Sequence, residues 1–329
     1  MPQVALSAAS VSWRRAGVIV PPFPSQSGWD SHCQMPTAIL LNNDILRIYY
    51  CTRDPKNQSH VFFADVMADE PERVIARTKE PCLLPGPVGH FDAAGVMPTS
   101  VLRVGDEIWM YFIGWTVRAD VPYHNAIGLA VSHDGGLTFA RRFAGPIVGS
   151  TATEPLFCST ADVVHTSEGW KMWYASTTEW RDLNGKLEPR YHLKYAASDD
   201  GLKWRQEGCV AVDYRNEDEA AVARATVLLG DANFHMWFCH RDLVGYRDDA
   251  ARAYRIGYAT SSDGLCWRRS NTNVFAADTP PLDGIDDVMQ AYPSVLKIRG
   301  KRWMFYNGNG FGQTGILMAT ASVAVGGAD

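Results

Sequence analysis

Three copies of one hairpin sequence, evenly spaced along the chain, constrain its fold more than any other feature. Ser132-His133-Asp134-Gly135, Ser198-Asp199-Asp200-Gly201 and Ser261-Ser262-Asp263-Gly264 lie about 65 residues apart. Each follows a strand of small residues (127–131, 193–197 and 256–260) and precedes an aromatic: Phe139, Trp204 and Trp267. Asp and Gly suit the tight turn, because Asp bonds its own backbone and Gly accepts positive φ. A period of this length, made only of short strands and turns, reads as a β-propeller.

Aligning the repeats extends the pattern to the whole chain. Inner strands are expected at 36–41, 98–104, 160–165, 225–229 and 293–298. Each is followed by a polar turn and an aromatic-rich second strand, in which Tyr50, Phe112, Tyr174, Phe238 and Tyr306 recur in register. The expected fold is all-β, with residues 1–329 forming a single five-bladed β-propeller. Its blades span about 28–85, 90–149, 153–212, 217–276 and 285–321. The stretch 12–20 resembles the fourth strands around Arg141 and Arg268, whereas the last repeat stops after its third strand, 316–321. Residues 1–20 are therefore expected to close the ring as the outer strand of the last blade, which removes exposed sheet edges.

Composition narrows the function. Apolar residues make up 46% of the chain, enough for a continuous core, and the eleven Trp suit both sheets and a carbohydrate site. A net charge of −5 with no basic stripe argues against nucleic acid. No apolar run reaches membrane-spanning length, and Arg14-Arg15 interrupts any secretory h-region. Seven widely spaced Cys read as reduced thiols of a cytoplasmic protein. No Cys or His cluster has zinc spacing. No cofactor or metal is expected, with a structural Ca²⁺ in the funnel left open.

A propeller gathers one end of every blade around a central funnel. The site is expected from the segments entering the inner strands and from the ends of the second strands. An acid precedes each inner strand by six residues: Asp30, Asp92, Glu154, Glu219 and Asp287. A repeated turn that needs a carboxylate for backbone N–H groups accounts for them. So does recruitment of two as the acid and nucleophile, or acid and base, of glycosidic cleavage. Asp92, Glu154 and Glu219 are the catalytic candidates, with His32 as a further acid/base group. Arg53, Arg224 and Arg241 point to an anionic or highly polar ligand, because guanidinium forks match carboxylate and phosphate. The alternative is pairing of Arg53 with Asp54 and of Arg241 with Asp242. Trp115 and Trp180 are placed to stack on a sugar ring or to pack the wall, and Gln290, Tyr292, Asn307 and Asn309 complete a polar wall. The expected partner is a small molecule or oligosaccharide, with an anionic group as one option.

These residues also carry a resemblance. The repeats resemble the five-bladed glycosidase superfamily of arabinanases, β-xylosidases, invertases and levansucrases, and SHDGGLTF (132–139) resembles the Asp-box of sialidase-type propellers. More narrowly, Ser31-His32-Cys33-Gln34, Phe91-Asp92, YRIGYATSSDGLCW (254–267) and Tyr306-Asn307-Gly308-Asn309-Gly310 are similar to glycosidase-like propellers of bacterial polysaccharide and biosynthetic gene clusters. The resemblance implies a sugar-directed enzyme, glycoside hydrolase-like, with its Asp-boxes on outer hairpins away from the site. One departure stands out. Superfamily hydrolases carry acids directly before the inner strands, where this chain has Met35, Met97, Ser159, Arg224 and Tyr292. The acids farther upstream do the catalysis, or the propeller serves a non-hydrolytic reaction (elimination, isomerisation or cyclisation), or it binds glycans without turnover.

Overall fold

A computed structural model describes residues 12–24, 28–29, 31–275 and 279–322, and the described chain is almost wholly β. Strand β1 (Arg14–Val20) is followed by repeated antiparallel groups. These are β2 (Gln34–Leu40), β3 (Ile45–Arg53), β4 (Ser59–Met67) and β5 (Val74–Arg77); then β6 (Gly95–Val104), β7 (Glu107–Thr116), β8 (His124–Ser132) and β9 (Ala140–Arg141); then β10 (Cys158–Thr166), β11 (Gly169–Leu183), β12 (Lys186–Ser198) and β13 (Val210–Val212). The chain continues with β14 (Glu219–Leu229), β15 (Phe234–Asp242), β16 (Arg255–Ser261) and β17 (Arg268–Arg269), and ends with β18 (Ala291–Ile298), β19 (Lys301–Asn307) and β20 (Ile316–Ser322). Strand β1 lies antiparallel on β20, so both described ends of the chain share one sheet, ordered β1-β20-β19-β18. Residues 1–11, 30 and 323–329 lie outside the described residues, and with them part of the expected closing segment and the acid Asp30.

The aromatic second strands explain how the groups hold together. Strands β3, β7 and β19 are buried along nearly their whole length, on both faces, because a neighbouring sheet packs on either side. Tyr49, Tyr111 and Trp173 each reach into the next group and donate to a turn carbonyl: Gly136 (2.8 Å), Gly201 (2.8 Å) and Gly264 (2.8 Å). Those carbonyls belong to the repeated Ser-x-Asp-Gly hairpins. In each hairpin the Ser hydroxyl accepts a turn N–H, and the Asp accepts the next two N–H groups. The hairpins are therefore structural latches.

The inner strands begin earlier than the sequence suggests. Pairing with the second strand starts at Gln34, Gly95, Cys158, Glu219 and Ala291, then slips at a bulge near the expected start. The bulge explains two observations. Pro36 and Pro293 sit where the ladder is interrupted, so no backbone donor is lost. Met35, Thr160, Arg224 and Tyr292 take positive φ (61°, 26°, 54° and 57°), which reorients the chain between the rim and the axis.

Below the bulges, side chains of one inner strand bond to the next. Thr99 exchanges hydrogen bonds with Ala161, Thr160 accepts from Arg224 N, Thr226 donates to Pro293 O, and Ser294 accepts from Ala38 N. Arg224 lies among them, wholly buried. Its guanidinium donates to Pro36 O (2.7 Å) and Thr37 Oγ1 (2.9 Å) on β2, and to Thr99 O on β6. It faces a small axial cavity that also exposes Asp162, Ser100 and Thr226.

Candidate functional site

A cavity of about 1040 Å³ opens at the end where the inner strands begin and the second strands finish. Its wall takes His32, Gln34 and Met35 from the approach to β2 and its start, and Met97, Ser159, Thr160, Ala223 and Tyr292 from the other inner strands. Arg53, Trp115, Thr116 and Arg241 come from the ends of β3, β7 and β15. Connections between second and third strands supply Lys56, Asn57 and Gln58; Val117, Pro122 and Tyr123; Tyr246, Arg247 and Tyr254; and Phe311, while His90 and its neighbours enter from the approach to β6, and Asn125 and Tyr191 from the third strands. Among the described residues, no Asp or Glu lines the wall.

The catalytic carboxylates expected from the sequence stand behind it. Asp92 is fully buried and accepts from Arg141 Nε at 2.6 Å. Glu154 accepts from Ser176 Oγ (2.6 Å) and Tyr174 OH (3.0 Å), with Lys194 Nζ at 3.4 Å. Glu219 takes a two-pronged pair from Arg269 (2.7 and 2.9 Å), the His240 ring at 3.1 Å and Arg215 N at 2.7 Å. Burial alone would raise the Glu219 pKa, but His240 and Arg269 outweigh it and hold it at about 2. In the last group Asp286, not Asp287, plays this part. It pairs with Arg15 Nε (2.7 Å) and Tyr306 OH (2.8 Å), while Asp287 accepts from Asn309. The tight turn over 282–286, closed by Asp286 N on Leu282 O and Leu282 N on Asp286 Oδ1, directs Asp286 inward. The repeated acid is thus a brace between an inner-strand entrance and an outer or third strand. This corrects the assignment of Asp92, Glu154 and Glu219 to the ligand site.

Other assignments need the same correction. Arg224 is absent from the cavity: its guanidinium runs down the axis to Pro36 O and Thr37 Oγ1, and Ala223 lines the wall instead. Gln290 donates to Asp286 O (2.6 Å). Asn307 ties Met35 N, Cys33 O and Gly315 O together, and Asn309 caps the turn at Val288 and Met289. Trp180 packs behind the wall on Tyr123 and Phe157, at ring separations of 5.5 and 5.7 Å. At the axis Arg224 lies beside Asp162 and its charge acts on that carboxyl. Among the described residues, no group of three or more His, Cys, Asp or Glu converges as a metal site requires.

His32, Arg53, Trp115, Arg241 and Tyr292 do meet on the wall. His32 shares its Nδ1 with Ser31 Oγ (2.8 Å); burial and the charge of Arg53 lower its pKa to about 4. Trp115 is fixed by its indole N–H on Ser59 Oγ (2.8 Å). Arg53 donates to Asn57 Oδ1 (2.8 Å) and lies 5.8 Å from the Trp115 ring. It makes no bond to Asp54, whose oxygens cap Lys56 N and Gln58 N and meet His60. Arg241 is 3% exposed and lies 3.8 Å above the Tyr246 ring. It donates to the backbone carbonyl of Asp242, while that residue's carboxylate faces Arg252 at 3.7 Å. Neighbouring acids therefore do not neutralise these two arginines. Sequence reasoning missed Tyr123, Tyr191, Tyr246, Arg247, Tyr254 and Phe311. The usable signal was loop length, for the connections 117–123, 243–254 and 308–315 are long and aromatic at the site end.

No protein-family model matches the chain. Solved structures share its fold at low identity. A glycosyl hydrolase from Bacteroides ovatus superposes with a TM-score of 0.70, at 14% identity over 95% of this chain and 94% of the other. A putative glycosidase from Bacteroides thetaiotaomicron gives 0.71, at 13% identity over 95% and 97%. A structure from the GH130 family of mannoside phosphorylases, which contains glycoside hydrolases targeting β-1,2-mannosidic linkages in Candida mannan, gives 0.69, at 13% identity over 99% and 98%. The fold is that of the glycosidase-like β-propellers. Closer in sequence are two uncharacterised proteins of Mycobacterium tuberculosis, MT1551 of strain CDC 1551 and Rv1502 of strain H37Rv. Each is 34% identical over 309 residues, 94% of this chain and 99% of theirs. With that identity over nearly both full lengths, the chain belongs to the family of MT1551 and Rv1502.

Proposed function

We propose that this chain is a carbohydrate-active enzyme, a single closed five-bladed ring acting in the cytoplasm, which draws a sugar or sugar-like small molecule into the cavity and transforms it without hydrolysis. The observation that carries this reading is the wall. It offers aromatic faces (Trp115, Tyr123, Tyr246, Tyr254) and amide groups (Gln34, Asn57, Gln58, Asn125) suited to a hydroxylated ring. Among the described residues it offers no carboxylate. Hydrolysis of a glycosidic bond ordinarily needs two carboxyl groups within about 5–10 Å of each other, flanking that bond. Asp92, Glu154 and Glu219 are engaged elsewhere.

His32 is then the proton-transfer group. Its lowered pKa keeps the imidazole neutral at pH 7, so one ring nitrogen carries a proton and the other holds a lone pair that can accept one. Such a group suits isomerisation: the lone pair takes a carbon-bound proton beside an electron-withdrawing group, and the resulting imidazolium returns that proton to the neighbouring atom, so the substrate keeps its composition. Binding without turnover is the second reading, favoured by the bracing of the acids.

Two assays decide. Reducing-sugar release from oligosaccharides and aryl glycosides should be absent, and bound sugars should exchange a carbon-bound proton with D₂O by NMR, an exchange lost in His32→Ala. Efficient glycoside cleavage that Asp92→Asn abolishes in a folded protein would sink the proposal. Sugar binding with no exchange would leave the binding module.

A further inference from the structure

The fixed charges of the cavity specify its ligand more narrowly than its shape does. Arg241 carries a permanent positive charge at 3% exposure, and none of the ion pairs among the described residues includes it. Its Nε is buried with no hydrogen-bond partner. Its surroundings are ring faces: Tyr246 at 3.8 Å, Tyr191 and Tyr254 at 5.8 Å. Tyr191 and Tyr254 bond each other at 2.6 Å, Tyr246 donates to Glu188 (2.8 Å), and Tyr254 also accepts from Arg241, so what the cage gives the guanidinium is neutral phenol oxygen and ring faces, not an anion. Ring faces offset part of the cost of burying a guanidinium, but a buried charge ordinarily has a counter-ion. Arg53, from the equivalent end of β3, repeats the pattern: its Nε is also buried and unpartnered, and Asp54 is turned away. Lys56 and Arg247 add positive charge to the same wall, although Arg247 already pairs with Glu188 at 2.7 Å. With no acid beside them on the described wall, these groups focus a positive potential into the cavity.

Resting on the carbohydrate reading above, we infer that the substrate is an anionic sugar, whose carboxylate or phosphate seats on Arg241 inside the tyrosine cage while Arg53 contacts it or a second polar group. The ring of the sugar then lies against the aromatic wall. A uronate and a sugar phosphate share this chemistry, and a direct comparison separates them.

The test is calorimetric titration of the full-length protein with D-glucuronate, D-glucose 1-phosphate, inorganic phosphate and D-glucose at low ionic strength. At least one anionic sugar should bind about tenfold or more tighter than glucose, as expected for a charge-assisted fork. The tighter of the two identifies the anion. Arg241→Gln should erase the preference, and Arg53→Gln should weaken it less. Should Arg241→Gln fail to fold, wild-type titrations in rising KCl serve instead: affinity for the anionic sugar should fall while that for glucose holds. Equal binding of glucose and both anionic sugars would overturn the inference yet leave a sugar site. A preference that survives Arg241→Gln, or no binding by any probe, would overturn it as well. Tight binding of inorganic phosphate alone, lost in Arg241→Gln, would keep the anion seat and remove the carbohydrate reading.

Discussion

Replacing Arg224 should loosen the whole molecule, although the residue touches no ligand. Its guanidinium bonds Pro36 O, Thr37 Oγ1 and Thr99 O, and its own N–H bonds Thr160, so it joins β2, β6, β10 and β14 at the axis. Arg224→Ala forfeits three charge-assisted bonds of about 1.5–3 kcal/mol each. Against this, the mutant no longer buries a guanidinium, which offsets several kcal/mol. What remains is the cost of two buried carbonyls without donors, about 1–3 kcal/mol apiece, and of Asp162 without its nearby cation. The expected loss is about 3–5 kcal/mol, comparable to breaking a buried ion pair. At roughly 2 °C per kcal/mol for a chain of this size, Tm should drop on the order of 6–10 °C. Arg224→Lys should fall between, because one ammonium cannot span both carbonyls. Scanning calorimetry at a fixed scan rate reads the shift, with Arg53→Gln as a wall control that moves little. A drop under about 2 °C for Arg224→Ala would refute the axial-hub reasoning.

Further outcomes follow from the braces and the ends of the chain. Glu219 is held at about pKa 2 in the fold, so its contribution is full above its unfolded value near 4.3 and fades as pH falls toward 2. Glu219→Gln should cost on the order of 3 kcal/mol at pH 7 and flatten the acid limb of a Tm–pH curve. Asp162 runs the opposite way. Burial pushes its pKa up to about 7, so the fold holds a proton that the unfolded chain releases, and stability declines as pH rises from about 4 to 7. Asp162→Asn should lack that decline in the same Tm series. Deleting residues 1–20 removes β1, bares the edge of β20 and strips Trp13 from Trp237, 6.1 Å away. The truncated protein should aggregate or lose its cooperative melt by light scattering and calorimetry; a monomer melting like the full chain would contradict this.

Much of the frame was legible because it rests on short-range chemistry repeated at a fixed interval. The Ser-x-Asp-Gly turns bond within themselves, and the aromatic second strands show their periodicity directly. The site was legible in outline. The ends of β3, β7 and β15 do put Arg53, Trp115 and Arg241 on one wall. The acids misled because a regular carboxylate fits a brace as well as a catalyst, and its partner is distant in sequence: Arg141 is 49 residues from Asp92, and Arg269 is 50 from Glu219. Arg224 misled because its partners are also distant in sequence: Pro36 and Thr37 lie 188 and 187 residues away on another inner strand.

Asp92, Glu154, Glu219 and Asp286 each fasten their own repeat from behind, and the connections that carry Tyr246 and Phe311 also tie one repeat to another through Glu188 and Cys33 N, which leaves the connection that carries Tyr123 the least burdened. Grafting the Tyr123 connection from one family member onto another should retune what the pocket accepts while the chassis keeps its melting behaviour. Divergence can then begin at that stretch of rim, where a changed residue disturbs the scaffold least.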